Sequence, residues 1–212
     1  NTVVEKVGSE LGDLSIDATG AWNYSLNNEL EAVQALPDGE TLVEQFRVKS
    51  FDGFTNKTIV VTVTGVNDVP VFGGEIAGSV TEDATPILMT GGALTIVDVD
   101  ANESSVNTTV TPTGQTLGTL TILADGTWSY EADSTQDDIQ ALVNNQFIEE
   151  TFTVISSDES ETQVITITIN GTNDAPEAVD DERLALKDGV GILVDVLAND
   201  NAGAGGLEDP NQ

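Results

Sequence analysis

Residues 118–130 read Gly118-Thr119-Leu120-Thr121-Ile122-Leu123-Ala124-Asp125-Gly126-Thr127-Trp128-Ser129-Tyr130. Apolar and polar residues alternate through Leu120-Thr121-Ile122 and again through Thr127-Trp128-Ser129-Tyr130, the period-two pattern of strands with one buried face. Between them Ala124-Asp125-Gly126 supplies a hairpin turn, because Asp-Gly accepts the positive φ that tight turns need. The stretch therefore predicts a β-hairpin. Trp128 and Tyr130, two residues apart, share one face of the sheet. That face can be a core or a platform for stacking on a sugar ring, and the regular alternation favours the core.

The same pattern stands 106 residues earlier. Gly12-Asp13-Leu14-Ser15-Ile16 aligns with 118–122, and Gly20, Trp22 and Tyr24 align with Gly126, Trp128 and Tyr130. The match runs without a gap from 7–70 against 113–176, with 23 identities in 64 pairs. It takes in Gln34-Ala35-Leu36, Phe46, Val48, Ser50, Asp52, and the Asn-Asp-x-Pro runs at Asn67 and Asn173. A period this long fits whole domains in tandem better than a solenoid, whose units run to about 20–50 residues. Further strands are predicted at Gln45–Val48, Ile59–Val63, Glu150–Thr151–Phe152–Thr153–Val154 and Val164–Ile169, with one short helical turn at Leu30–Leu36 and at Ile139–Val143. Short strands at regular spacing, with no long helical period anywhere, predict an all-β chain of tandem Greek-key β-sandwich domains.

Composition narrows the chemistry. The 212 residues carry 37 Asp and Glu against six Lys and Arg, a net charge of −31, with no His and no Cys. That excludes disulfides, thiol nucleophiles, Ser-His-Asp triads, haem and ordinary zinc sites. So strong a negative charge argues against nucleic acid or an anionic membrane as partner, and no apolar run approaches the length of a membrane span. The basic residues are Lys6, Arg47, Lys49, Lys57, Arg183 and Lys187, so residues 58–182 hold 22 acids and no base. Those carboxylates must be solvated, screened, or neutralised by a bound cation. An acid pair for glycoside hydrolysis carries little specificity amid so many acids, so a non-enzymatic role is expected.

The unit junctions read Gly65-Val66-Asn67-Asp68-Val69-Pro70 and Gly171-Thr172-Asn173-Asp174-Ala175-Pro176, with Ser79-Val80-Thr81-Glu82-Asp83 and Leu94-Thr95-Ile96-Val97-Asp98-Val99-Asp100-Ala101 between them. This ordered set resembles the VCBS repeats of large bacterial surface and biofilm adhesins, often RTX-type proteins. Residues 67–172 would be one complete repeat and 1–66 the later part of the preceding one. From Asn173 to the end, Ala178-Val179-Asp180-Asp181 and Val194-Asp195-Val196-Leu197-Ala198-Asn199-Asp200 resemble the start of a related bacterial cadherin-like domain. The resemblance implies cadherin-like or immunoglobulin-like folds, calcium, and an extracellular place on the bacterial surface.

Calcium also has a physical case. It takes about six to eight oxygens from carboxylates, amide side chains, backbone carbonyls and water. Each Asn-Asp-x-Pro junction offers two side-chain oxygen donors on a segment that proline stiffens. The junction resembles the cadherin interdomain linker, in which a two-Asp motif completes the site. By that resemblance the first site is expected from Asn67, Asp68, Asp98 and Asp100, with Asp158 from a neighbouring loop. The second is expected from Asn173, Asp174 and Asp200, while Glu82 and Asp188 resemble the acid near a cadherin domain's start. Asp98, Asp100 and Asn102 have EF-hand spacing, but Glu103 stands where the loop needs Gly and Thr109 where it needs Glu, so an EF-hand is rejected. Asn and Asp are also common in turns for purely conformational reasons, the competing account of these acids.

The expected function is a calcium-stiffened stalk module of an exported adhesin, with neighbouring repeats as its partners. The alternative is a glycan- or protein-binding module. Because residues 1–66 lack a counterpart of 67–106, their apolar face is expected to be covered by something, and strand exchange between chains is one way to do it.

Overall fold

The computed structural model describes residues 4–8, 10–50, 52–174 and 180. Thirteen strands and two single-turn helices follow one another along them. They are β1 (Val4–Val7), β2 (Gly12–Ile16), β3 (Trp22–Leu26), α1 (Glu31–Gln34), β4 (Thr41–Lys49), β5 (Asn56–Thr64), β6 (Val71–Gly74), β7 (Ala77–Thr81), β8 (Ile87–Val97), β9 (Thr111–Pro112), β10 (Gly118–Ile122), β11 (Thr127–Asp133), α2 (Asp137–Gln140), β12 (Phe147–Ile155) and β13 (Thr162–Asn170). The predicted strands all fall within these elements. The helical turn expected at 139–143 forms two residues earlier. The fold is an all-β sandwich, as the alternation predicts.

The chain divides into two compact units. The first gathers residues up to 72 with 96–106 and 156–161, and the second gathers 73–95, 107–155 and the described residues from 162 on. In the second unit one sheet has the order β10-β11-β8-β6 and the other β7-β13-β12-β9. Within the latter, β7 runs parallel to β13, with Gly78 opposite Ile167 and Val80 opposite Ile169. In the former, β8 runs antiparallel to β11, with Gly92 opposite Trp128. The alternating residues Trp128, Tyr130, Phe152, Val154, Ile165, Ile167 and Ile169 are all buried between the sheets, joined by Leu88 and Leu94. Tyr130 meets Phe152 edge to face at 5.9 Å, an arrangement that suits the ring quadrupoles.

The first unit repeats part of this plan. Its sheets are β1-β4-β5 and β2-β3. Tyr24 meets Phe46 edge to face at the same 5.9 Å. Turn chemistry is shared as well. Gly20 and Gly126 take φ of +89° and +87°, closing the two hairpins where a side chain would be strained.

Each unit also buries one carboxylate in the same place. Glu44 accepts the backbone N–H of Leu11 and of Gly12, each at 3.1 Å, and the Tyr24 hydroxyl at 2.9 Å. Glu150 accepts the N–H of Leu117, the N–H of Gly118 at 3.3 Å, and the Tyr130 hydroxyl at 2.7 Å. Three donors replace the water each carboxylate gives up. Glycine is required beside the phenol, because a Cβ on Gly12 or Gly118 would meet the Tyr24 or Tyr130 ring at 2.6 or 2.2 Å.

One sequence expectation is corrected. Trp128 is 2% exposed, but Trp22, assigned to a core by the same alternation, is 52% exposed, and Tyr24 is only half-buried. Alternation specifies which face a side chain takes, not whether another layer covers that face.

Candidate metal centre

The first junction folds into a compact acidic site inside the first unit. Past β8 the chain enters a tight turn at Asp98–Glu103. The Asp100 N–H donates to Asp98 Oδ1 at 2.9 Å, and the Asp98 N–H donates to Ser104 Oγ at 2.9 Å. Asn102 takes φ of +69°, a left-handed conformation that Asn tolerates, and this swings Glu103 back toward the two aspartates. The Ala101 N–H donates to Ala35 O at 3.1 Å, fixing the turn on the segment after α1.

The Asn67-Asp68 segment joins it. The Asp68 N–H donates to Asp100 Oδ2 at 2.7 Å, and Asn67 Nδ2 donates to Asp158 Oδ2 at 3.1 Å. Asp158 in turn accepts the hydroxyl and the backbone N–H of Ser160. Burial alone would raise the Asp158 carboxyl, but hydrogen bonds from Ser156, Ser160 and Asn67 outweigh it and hold it at about 2. Asp158 is thus a carboxylate already ionised and already aimed at the junction.

Asp98, Asp100 and Glu103 each bring a carboxylate oxygen within 4.8 Å of the others. Asp98 Oδ2, Asp100 Oδ1 and Glu103 Oε2 are all buried without a hydrogen-bond partner. Three like charges at this separation repel by roughly 3 kcal/mol per pair at an effective dielectric of about 20. Burial, and then Asp100, Asp98, Asp158 and Asp38, push the Glu103 carboxyl above its ordinary range. A hard cation answers both deficits, because it neutralises the charge and supplies the missing partner to each orphaned oxygen. The donor set is all oxygen, which suits calcium and offers nothing to a soft metal.

The structure brings together Asn67, Asp68, Asp98, Asp100 and Asp158. Glu103 was missed in the sequence, where it counted only as the residue that spoils an EF-hand. The signal lay in Asp98-x-Asp100-x-Asn102-Glu103, an acid placed directly after a residue that readily turns left-handed.

The second junction is less fully described. Glu82, 1% exposed, accepts the Thr172 N–H through Oε1, while its Oε2 is buried without a partner. Burial, then the charges of Asp174 and Asp83, raise its carboxyl against the lowering effect of the Thr172 N–H. Asn173 Nδ2 donates to Asp174 O at 3.4 Å. Glu82, Asn173 and Asp174 therefore lie at one end of the second unit, whereas Asp188 and Asp200 fall outside the described residues.

Comparisons with known proteins bear on this plan. Residues 67–171 match the family model of the bacterial cadherin-like domain. No curated protein matches the chain in sequence. Among solved structures, mouse clustered PcdhgC3 EC1-3 superposes with a TM-score of 0.47 at 15% identity, over 82% of this chain and 57% of that one. The protocadherin GammaB4 extracellular domain gives 0.48 at 15%, over 83% and 27%. Domains 4 and 5 of the S-layer protein SbsC give 0.36 at 14%, over 80% and 70%. The chain thus spans little more than half of the first of these and about a quarter of the second.

Proposed function

Starting from a bacterial cadherin-like domain at residues 67–171, we propose that the chain is a calcium-ordered extender module of an exported bacterial adhesin, built from VCBS-type repeats of the RTX-type surface proteins. Its work is mechanical: it holds an adhesive end away from the cell and supports adhesion or biofilm formation. In this reading residues 1–66, 67–172 and 173–212 belong to three successive domains, and the partners are calcium ions and neighbouring repeats. The module is extracellular and not an enzyme.

The observation that carries the reading is the trio of buried, unpartnered carboxylate oxygens on Asp98, Asp100 and Glu103. Asn67, Asp68 and Asp158 complete the donor set of the first site. Glu82, Asn173 and Asp174 would hold a second ion, with Asp188 and Asp200 as further candidates from the sequence. Without the ion, mutual repulsion loosens the 98–103 turn and the junction segment attached to it. With the ion, the same charges become attractive, and binding energy becomes folding energy.

Thermal unfolding with calcium, with magnesium and with EDTA at matched ionic strength tests this. Calcium at about 100 times its Kd adds about 2.7 kcal/mol, which raises the midpoint of a chain this size by roughly 5–10 °C. Magnesium, which demands a smaller octahedral shell, raises it much less. Coincident curves would sink the proposal. A second reading, a glycan- or protein-binding module, rests on the exposed Trp22. It requires that a soluble oligosaccharide or a candidate host protein shift Trp22 emission.

A further inference from the structure

The two units differ in what lies over one face of the sandwich. In the second unit, β7 pairs with residues 166–170 of β13 and β8 pairs with residues 127–133 of β11. Shifted by 106, those partners are residues 60–64 of β5 and 21–27 around β3. Among the described residues β5 pairs only with β4, and β3 only with β2. The first unit therefore presents, among the described residues, two open strand edges with an apolar face between them. Ile59, Val61 and Val63 are half-buried there, while their counterparts Ile165, Ile167 and Ile169 are 0% exposed. Leu14 and Ile16 are likewise half-buried, against 4% exposure for Leu120 and Ile122.

This face is a shaped groove. A cavity of about 540 Å³ is lined by Ile16, Trp22, Val48, Ile59, Lys49 and Lys57, among others. In the second unit the space above the equivalent tryptophan is filled by backbone. A Cβ on Gly78 or Gly92 would come within 2.9 or 2.7 Å of the Trp128 ring, and Trp128 Nε1 donates to Glu75 O at 2.9 Å. Only a strand pair with glycine at those two places can lie so close.

We propose that the open face of the first unit receives a polypeptide segment with the pattern of residues 71–97, which adds one strand beside β5 and one beside β3 and closes over Trp22. Two observations select this occupant over others. The 23 identities in 64 pairs preserve the receiving residues, including Trp22, Tyr24, Phe46, Val48 and Ile59. Charge is complementary too. Lys49 and Lys57 line the groove beside Trp22, in place of Ile155 and Gln163, and by the pairing of β7 with β13 Glu75 is the acid of residues 71–97 that falls at their end of the groove, in a segment with no base. Backbone pairing along an open edge gives affinity, and the glycines over Trp22 give register. The proposal does not depend on the metal reading.

A synthetic peptide with the sequence of residues 71–97, titrated into the full chain, tests it by tryptophan emission. Trp128 is already buried, so any change reports Trp22, and Trp22→Phe must abolish it. The expected result is a saturable blue shift and at least tenfold weaker binding by a peptide carrying Gly78→Val and Gly92→Val. Binding by the unmodified peptide should weaken several-fold when Lys49→Glu and Lys57→Glu are introduced in the chain. In a second measurement, a copy of residues 67–106 is fused ahead of residue 1, in phase with the 106-residue period, which raises the segment's effective concentration. Acrylamide quenching of Trp22 should then fall severalfold. Quenching unchanged in the fused chain would overturn the proposal, as would equal binding of a scrambled peptide. A dimer of the unfused chain in sedimentation, abolished by Trp22→Ala, would assign the face to a second copy instead. An emission shift produced by oligosaccharide and not by peptide would assign it to a sugar.

Discussion

The hairpins β2-β3 and β10-β11 are nearly the same sequence in the same local shape, yet they live in different surroundings. Gly12–Leu26 pairs in register across its turn just as Gly118–Ala132 does, and each hairpin offers its tyrosine hydroxyl to a buried glutamate. Trp22 nevertheless stands in solvent where Trp128 is enclosed. Local pattern and turn chemistry suffice to build the hairpin, because both act over a few residues. Enclosure depends on β7 and β8, which lie far off in sequence from the hairpin they cover and, among the described residues, have no counterpart over β2-β3.

The largest test of this difference is a pair of truncations. Trp128→Ala should cost about 3–5 kcal/mol, the usual loss for emptying a large aromatic site in a packed core. Trp22→Ala should cost less than about 1 kcal/mol, as exposed positions do. Urea denaturation followed by circular dichroism measures both. Equal costs would mean that Trp22 is enclosed in solution.

The buried glutamates should behave alike, which sharpens the comparison from the other side. Glu44 and Glu150 are 0% and 3% exposed, so Glu→Ala at either site orphans two backbone N–H groups and a phenol. A loss of roughly 2–4 kcal/mol is expected at each. A much smaller loss at Glu44 would show that the open unit lets water in to replace the carboxylate.

The two tyrosines are the only ones in the chain, so an alkaline titration read at the phenolate band separates the units. Burial, and then the Glu44 carboxylate, raise Tyr24 to about 12, while burial, and then the Glu150 carboxylate, raise Tyr130 further. A folded-state pKa above the unfolded value of about 10 means the neutral phenol favours the fold below pH 10. That contribution fades as pH rises through about 12. Tyr24 should ionise first, and Tyr24→Phe should remove the lower step. Simultaneous ionisation would argue that the two clamps are equally enclosed.

The smallest expected effect concerns two aspartates in matching turns. Asp52 takes the Ser50 hydroxyl and the Phe54 N–H, much as Asp158 takes those of Ser160. Only Asp158 meets Asn67 and the 98–103 turn. Asp158→Ala should therefore remove a substantial part of any calcium-induced rise in the unfolding midpoint, and Asp52→Ala should leave it unchanged within a degree or so. Equal responses would separate the calcium effect from the junction.

Much was legible in the sequence for physical reasons that act locally. Period-two alternation marked the strands, Asp-Gly marked a hairpin, and the 106-residue self-match marked the tandem plan. The missing bases over 58–182 showed that the acids there needed something other than ion pairs within that stretch. Three things waited for the tertiary structure. Glu103 joined Asp98 and Asp100 only because Asn102 turns the backbone left-handed. Glu44 and Glu150 were identical letters in a repeat until three donors were seen to surround each one. Trp22 and Trp128 occupied the same place in the pattern and took different environments. Sequence periodicity fixes the direction of a side chain relative to its own strand, whereas burial, ligand geometry and the satisfaction of a buried charge depend on which distant segments arrive, and that is set by packing alone.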